Sequence, residues 1–173
     1  MYFKDISNFN NTSDYLAILN GSLIADVIII LMVFFGFFKS KFLKEWYLKL
    51  NFFAVVADVL ILVIGAILTR YFYPMIFKEW SIVKFTGLFV IIQVIHDILF
   101  YLFFDKIVPR GSNVVFDMFK DYAKEVGGGA ILGDSFMVVM TALLSSLLAS
   151  QSLNTNIIIL ILASYILPYV IYF

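Results

Sequence analysis

Four aspartates of this chain lie where charged side chains are rare. Asp26, Asp58, Asp97 and Asp134 each fall inside a different one of the first four long apolar stretches. A charged side chain at the centre of a membrane helix costs about 2.5 to 3.5 kcal/mol, so such residues normally face other helices or a wet cavity. We therefore expect the four carboxyl groups to converge inside a helix bundle.

A histidine and a glutamine accompany one of these aspartates. His96 directly precedes Asp97, and Gln93 lies one helical turn earlier in the run QVIHDILFY. Helical spacing brings the amide, the imidazole and the carboxyl group close together. Four neighbouring carboxyl groups cannot all be ionised in a bilayer, because like charges repel and burial disfavours the charged form. Some of them are therefore expected to carry protons.

These residue types allow three roles. Carboxyl groups and an imidazole in series can pass protons or bind a cation. A histidine with aspartates can ligate a metal that is structural or activates water, although no second histidine supports such a site. Protonated aspartates can also hydrogen-bond between helices and hold the bundle together. The candidate relay residues are Asp26, Asp58, Gln93, His96, Asp97 and Asp134.

The composition is that of a membrane protein. Of 173 residues, 63% are hydrophobic and 14% are charged, with a mean hydropathy of +1.01, whereas about 25% of a soluble domain is charged. The formal net charge is zero, which argues against a nucleic-acid partner. Cysteine is absent, and no common catalytic motif such as G-x-S-x-G or H-E-x-x-H occurs. An enzyme is therefore the less favoured class, and no cofactor is expected.

Five apolar stretches are long enough to position these aspartates in a bilayer. A membrane helix needs about 20 apolar residues to cross roughly 30 Å of hydrocarbon. The last stretch is the shortest and contains Pro168. We predict an all-α, polytopic transmembrane helix bundle in a single domain, residues 1–173, with spans at 15–38, 51–68, 82–104, 130–150 and 157–173.

A further helix is predicted between the third and fourth spans. Apolar residues recur there at helical spacing with charged residues opposite, which indicates an amphipathic helix over 113–126. Ser112 or Asn113 caps its start, and the glycines at 127–129 end it. Such a helix lies at the membrane surface or packs on the bundle. The alternatives are a docking surface for a protein partner and a gate hinged on the glycines.

Basic residues are unevenly shared between the two sides. The loops after the first and third spans hold eight, and the other side holds Lys4, Arg70, Lys78 and Lys84. Because short loops rich in Lys and Arg stay in the cytoplasm, the N-terminus is expected outside and the C-terminus on the cytoplasmic side. The eight residues are Lys39, Lys41, Lys44, Lys49, Lys106, Arg110, Lys120 and Lys124.

The C-terminal half also carries a resemblance. The runs QVIHDILFY (93–101) and DMFKDYAKEVGGGAILGDS (117–135) resemble uncharacterised multi-span proteins encoded by large double-stranded DNA viruses of algae and protists. The resemblance covers roughly 93–173. It implies a virion inner membrane or a host membrane as the setting, with the C-terminus on the virion-interior or cytoplasmic side, and it implies no activity.

The sequence therefore predicts a non-enzymatic membrane protein whose buried carboxyl groups and His96 form a proton or cation pathway. One alternative is a structural or assembly component of a viral membrane. The other is an intramembrane metal-dependent enzyme. The expected partner is the lipid bilayer, with a second copy of the chain, and a protein docked on 113–126, as further candidates.

Overall fold

The fold consists of helices throughout the described part of the chain. The computed structural model describes residues 3–172, and no β-strand occurs among them. This confirms the predicted all-α class. The helices are α1 (Tyr15–Phe34), α2 (Lys41–Leu50), α3 (Phe52–Ile76), α4 (Ile82–Leu102), α5 (Val114–Val126), α6 (Gly129–Leu148) and α7 (Leu153–Ile171). A 3₁₀ turn (Thr12–Asp14) precedes α1, and a π-helical turn (Phe103–Ile107) follows α4.

Five of these helices are long and apolar enough to cross a membrane, namely α1, α3, α4, α6 and α7. The shortest, α7, has 19 residues. At about 1.5 Å per residue it extends roughly 28 Å, close to the thickness of the hydrocarbon core. The chain is thus an integral membrane protein built as a polytopic helix bundle.

Three spans differ from the predicted bounds by four residues or more. Helix α1 ends at Phe34, before the predicted end at residue 38. Helix α3 continues to Ile76, past the predicted end at residue 68, because Arg70 is buried inside the bundle and does not mark a loop. Helix α7 begins at Leu153, before the predicted start at residue 157. The Ser152 hydroxyl accepts a hydrogen bond from the Thr155 N–H and caps this helix, so its polar first turn is helical.

Helix α1 lies at the centre of the bundle. It packs against α3, α6 and α7, and 61% of its span is buried, compared with 22% for α4 and for α7. Helices α1 and α6 approach closely at Gly21. A Cβ atom there would lie 2.3 Å from Ser145 Oγ and 2.7 Å from Ser145 N, so this contact requires glycine.

The two ends of the bundle are built differently. At one end, which we call the N-terminal end, residues 3–14 fold back onto α6, where the Ser146 hydroxyl donates to the Lys4 carbonyl at 2.6 Å. The other end carries α2 and α5 and the eight basic residues named above, and we call it the basic end. The polar sites described below lie towards these two ends.

Helix α5 matches the prediction, whereas α2 corrects it. Asn113 caps α5 because its side-chain oxygen accepts hydrogen bonds from the N–H groups of Val115 and Phe116, and the helix ends before Gly127, whose φ is 56°. The predicted spans place residues 41–50 in the loop after the first span, but this segment forms a helix capped by the Ser40 hydroxyl. A turn at Asn51, with φ of 48°, connects α2 directly to α3.

Candidate functional site

Two of the predicted aspartates meet at a tyrosine of α2. The Tyr47 hydroxyl lies 3.1 Å from Asp26 Oδ1 on α1 and 3.0 Å from Asp58 Oδ2 on α3. The Trp46 indole N–H donates to the same Asp58 oxygen at 3.0 Å. Asp26 and Tyr47 are fully buried. Helix α2, which the sequence analysis missed, therefore supplies the group that joins the first two spans.

The hydrogen bonds of Tyr47 limit which of the three side chains, Tyr47, Asp26 and Asp58, can carry a proton. Burial raises the pKa of Tyr47 well above its usual range, so its hydroxyl keeps its proton. One hydroxyl donates to one acceptor at a time. Both contacts are hydrogen bonds only if one of the two carboxyl groups is protonated and donates to the tyrosine oxygen. Asp26 and Asp58 together therefore hold a proton when both bonds are made.

A small cavity extends from Asp58 towards α4 and α6. It has a volume of about 40 Å³, and its polar lining comes from Asp58, Gln93 and Asp134. A water molecule needs about 10–15 Å³ and polar partners, so the cavity has room for at least one. Among residues 3–172, no protein group hydrogen-bonds to the Asp134 carboxyl. This carboxyl group is therefore available to water in the cavity.

The fourth aspartate is held by its own helix. The Gln93 amide donates to Asp97 Oδ1 at 2.6 Å, and His96 Nδ1 lies 3.2 Å from the same oxygen. Asp97 Oδ2 is buried without a hydrogen-bond partner. The side chain of His96 is 38% exposed and stacks on Phe100, and it does not line the cavity. His96 thus lies at the edge of the site, and Gln93 connects Asp97 to the cavity.

We call Asp26, Asp58, Asp97 and Asp134 the carboxyl cluster. Within residues 3–172, none of its members pairs with a lysine or arginine. The donors that contact it are neutral hydroxyl, indole and amide groups, apart from the imidazole of His96. A buried carboxylate without a cation is costly, and a proton shared with a neighbouring group reduces that cost.

Helices α2 and α5 are fastened together at the basic end. The Glu125 carboxylate of α5 accepts hydrogen bonds from the Ser40 hydroxyl at 2.7 Å and from the N–H groups of Lys41 and Phe42 at 2.9 and 3.1 Å. The Ser40 hydrogen bond lowers the pKa of Glu125. A carboxylate at a helix N-terminus is stabilised by the free N–H groups and the helix dipole. Glu125 therefore helps to hold the helix that carries Trp46 and Tyr47.

A second polar site at the N-terminal end was not predicted. Asp14 is fully buried and accepts from Lys4 Nζ at 2.8 Å and from Asn11 Nδ2 at 2.8 Å. Arg70, also fully buried, places Nη2 3.8 Å from Asp14 Oδ2 and stacks on the Tyr15 ring at 4.6 Å. Its guanidinium also donates to two carbonyl groups of the N-terminal segment. This site anchors that segment to α3.

The predicted spans 15–38 and 51–68 leave both Asp14 and Arg70 outside the bundle. The available signal was the apolar run on both sides of Arg70, which continues for several residues beyond it. A helix of that length places the arginine inside the bundle, where a buried cation needs an acidic partner. The identity of that partner, 56 positions away, was not indicated by local spacing.

Metal ligation gains no support from the described part of the chain. Within residues 3–172, no group of three or more His, Asp or Glu side chains is placed to hold a metal ion. Comparisons with protein-family models, curated protein sequences and solved structures returned no significant match, so the resemblance to viral membrane proteins stays a prediction and the site must be interpreted from its own geometry.

Proposed function

We propose that this membrane protein conducts protons through the carboxyl cluster. The observation that carries the proposal is the contact of one protonated hydroxyl, Tyr47, with carboxyl groups from two spans. Such an arrangement shares a proton between the two carboxyl groups. Moving the proton from one to the other requires only an exchange of donor and acceptor roles across the tyrosine oxygen.

The donors around the cluster favour a proton over a metal cation. Asp58 Oδ2 accepts from the Trp46 indole and contacts the Tyr47 hydroxyl, and Asp97 Oδ1 accepts from the Gln93 amide. These N–H and O–H groups occupy lone pairs on one oxygen of Asp58 and one oxygen of Asp97, which leaves fewer oxygens for a cation. A hard cation also requires several ionised or carbonyl oxygens around one point. A proton requires only one acceptor at a time.

The cavity provides the next step of the proposed path. Asp58 and Asp134 both line it, and water inside it would connect the two carboxyl groups through hydrogen bonds. Gln93 links the cavity to Asp97. The proposed order is Asp26, Tyr47, Asp58, cavity water and Asp134, with Asp97 and His96 as a side branch.

Proton flux into liposomes tests this proposal. The purified protein is reconstituted in vesicles that contain a pH-sensitive dye, and a pH gradient is applied in each direction. Asp58→Asn keeps an acceptor for Trp46 but cannot release a proton, so we expect flux to fall about tenfold or more. Tyr47→Phe removes the bridge and should reduce flux similarly.

Matched variants separate this function from a structural role. Tyr73→Phe removes a tyrosine hydroxyl that bonds only backbone groups near the N-terminal end, and should leave flux unchanged. Asp121→Asn removes a carboxylate on α5 that pairs with Arg110 outside the cluster, and it should likewise leave flux unchanged. Wild-type flux no higher than that of empty vesicles would overturn the proposal and leave the acids the role of joining helices, as in a structural or assembly protein.

We also propose that the basic end faces the cytoplasm, since short basic loops are retained there. The chain has no cysteine, so single cysteines report the side directly. Asn10→Cys at the N-terminal end and Ser112→Cys at the basic end are both exposed. An impermeant thiol reagent added to intact cells should label only the first. Labelling of Ser112→Cys alone would reverse the orientation.

A further inference from the structure

The polar groups on α1 and α6 continue from the carboxyl cluster towards the N-terminal end. Eight buried side-chain atoms lack a hydrogen-bond partner within residues 3–172, and four of them belong to these two helices. They are Asp26 Oδ2, Thr141 Oγ1, Ser145 Oγ and Asn20 Oδ1. All four residues are at most 1% exposed. Helices α1 and α6, which meet at Gly21, therefore carry four of the seven side chains that have an unpartnered buried atom.

Their depths form a series. Gly21 faces Ser145, as the 2.3 Å separation from its built Cβ shows. Because α1 and α6 run in opposite directions and rise about 1.5 Å per residue, Asp26 and Thr141 lie roughly 6 to 8 Å nearer the basic end than that contact. Asn20 lies next to Gly21 on its N-terminal side. The groups thus descend from Asn20 through Ser145 to Thr141 and Asp26.

The hydroxyl groups of Thr141 and Ser145 differ from two other buried hydroxyl groups in their hydrogen bonding. Ser22 donates to the Ile18 carbonyl at 2.9 Å, and Thr69 donates to the Gly65 carbonyl at 2.8 Å. That bond to the preceding turn is the common way to satisfy a hydroxyl in a helix. Thr141 and Ser145 do not make it. Their hydroxyl groups are therefore available to donate to, and accept from, mobile partners such as water.

The outer end of the series approaches solvent. The Asn20 amide donates to the Asn156 carbonyl at 2.8 Å, and the Asn156 amide donates to the Leu148 carbonyl at 2.9 Å. Asn156 follows the exposed turn at Gln151 and Ser152. This pair of asparagines links the buried hydroxyl groups to the surface of the N-terminal end.

We infer that Asn20, Ser145 and Thr141 form a hydrated relay that brings protons from the N-terminal end to Asp26. This inference rests on the proposed proton function and assigns its second half. It gives the cluster access to both sides of the membrane, with Asp26 as the residue at which the two halves meet. The close contact at Gly21 and Ser145 is the narrowest point of the relay.

Five variants test the relay in the same liposome assay. Thr141→Val and Ser145→Ala remove the two unpartnered hydroxyl groups and should each lower flux about tenfold. Thr69→Val and Ser22→Ala remove buried hydroxyl groups that already bond a backbone carbonyl, and flux should stay within about twofold of wild type. Thr141→Ser keeps a hydroxyl and should retain flux.

The outcomes distinguish this inference from the proposed function. Flux in wild type that persists unchanged in Thr141→Val and Ser145→Ala would overturn the relay and leave the carboxyl cluster as the conducting site. An absence of wild-type flux would overturn both. Thermal unfolding of each variant in detergent identifies misfolded protein.

Infrared spectroscopy in deuterium oxide provides a second measurement, because exchange of the proton for deuterium shifts the carbonyl band of a protonated carboxyl group. Thr141→Val should slow this exchange, and an unchanged rate would contradict the relay.

Discussion

The protein buries aspartates towards both ends of its bundle but gives them different neighbours. At the N-terminal end, Asp14 is surrounded by the cations of Lys4 and Arg70. In the carboxyl cluster, the hydrogen-bond partners of Asp26 and Asp58 among residues 3–172 are the neutral hydroxyl of Tyr47 and the neutral indole of Trp46. A paired carboxylate has a fixed charge, whereas an acid with neutral donors can gain or lose a proton within the same contacts. We therefore expect the neighbours, and not the residue type, to decide between anchoring and the proposed proton exchange.

Of these substitutions, removal of the Arg70 guanidinium is expected to lower the unfolding free energy most. Arg70→Met deprives Asp14 of one buried partner and the N-terminal segment of its guanidinium contacts, which should cost about 3 kcal/mol of unfolding free energy. Denaturant titration in detergent measures it. Lys84→Met, an exposed residue of α4, is the control. In the Asp14→Asn background the same substitution should cost less, and an equal cost would show that the ion pair is not what stabilises this end.

Tyr47→Phe is expected to have an intermediate effect. It removes the donor that two buried carboxyl groups share, so the unfolding free energy should fall by about 1 to 2 kcal/mol. The same titration measures the change. In an Asp26→Asn background the loss should be smaller, because the two residues act as one hydrogen-bonded unit. Additive losses would contradict a shared proton.

Asp134→Leu should have the opposite sign from changes at the anchored end. The Asp134 carboxyl has no protein hydrogen bond within residues 3–172, so an apolar side chain of similar size should raise stability by about 1 kcal/mol. Asp14→Leu leaves Arg70 unpaired and should lower it. A destabilised Asp134→Leu protein would show that this carboxyl has a structural partner, and the difference between the two ends would disappear.

The smallest expected effect concerns pH at the contact between α2 and α5. The pKa of Glu125 is lowered in the folded protein, so its contribution to stability is present above the unfolded value of about 4.3 and is lost as pH falls through the folded value. Exchange of the Lys41 and Phe42 amide hydrogens, corrected for intrinsic rates, should therefore become faster in acid. Glu125→Gln should remove this dependence. Exchange that does not respond to acid would show that the carboxylate does not hold α2.

Sequence patterns predicted the elements better than their contacts. Apolar length gave the five spans, and the Asn113 cap with the glycines after residue 126 gave α5 nearly to the residue. The cost of burying a charge predicted interior positions for the four aspartates; Asp26 is fully buried, and the other three are partly buried. These features depend on local physics, namely hydropathy, capping and helical period.

The missing parts depend on contacts between distant segments. Helix α2 is short, and its Trp46 and Tyr47 resemble interfacial aromatic residues until α1 and α3 are packed beside them. A stripe of Phe42, Trp46 and Leu50 behind the Ser40 cap was the available sign of this helix. The unpartnered state of Thr141 and Ser145 is a property of the folded α1–α6 contact, and no spacing in the sequence reports it.

The contact between Trp46 and Asp58 also gives the cluster an optical reporter. The chain has two tryptophans, and they lie at opposite ends of the bundle, with the Trp80 indole bonded to the Phe3 carbonyl. A carboxylate 3.0 Å from the indole nitrogen exerts a strong electric field on the ring, and protonation removes most of it. After Trp80→Phe, the emission spectrum arises from one indole. The wavelength of the Trp46 emission maximum, measured as a function of pH, therefore reports the charge on Asp58 without any added dye.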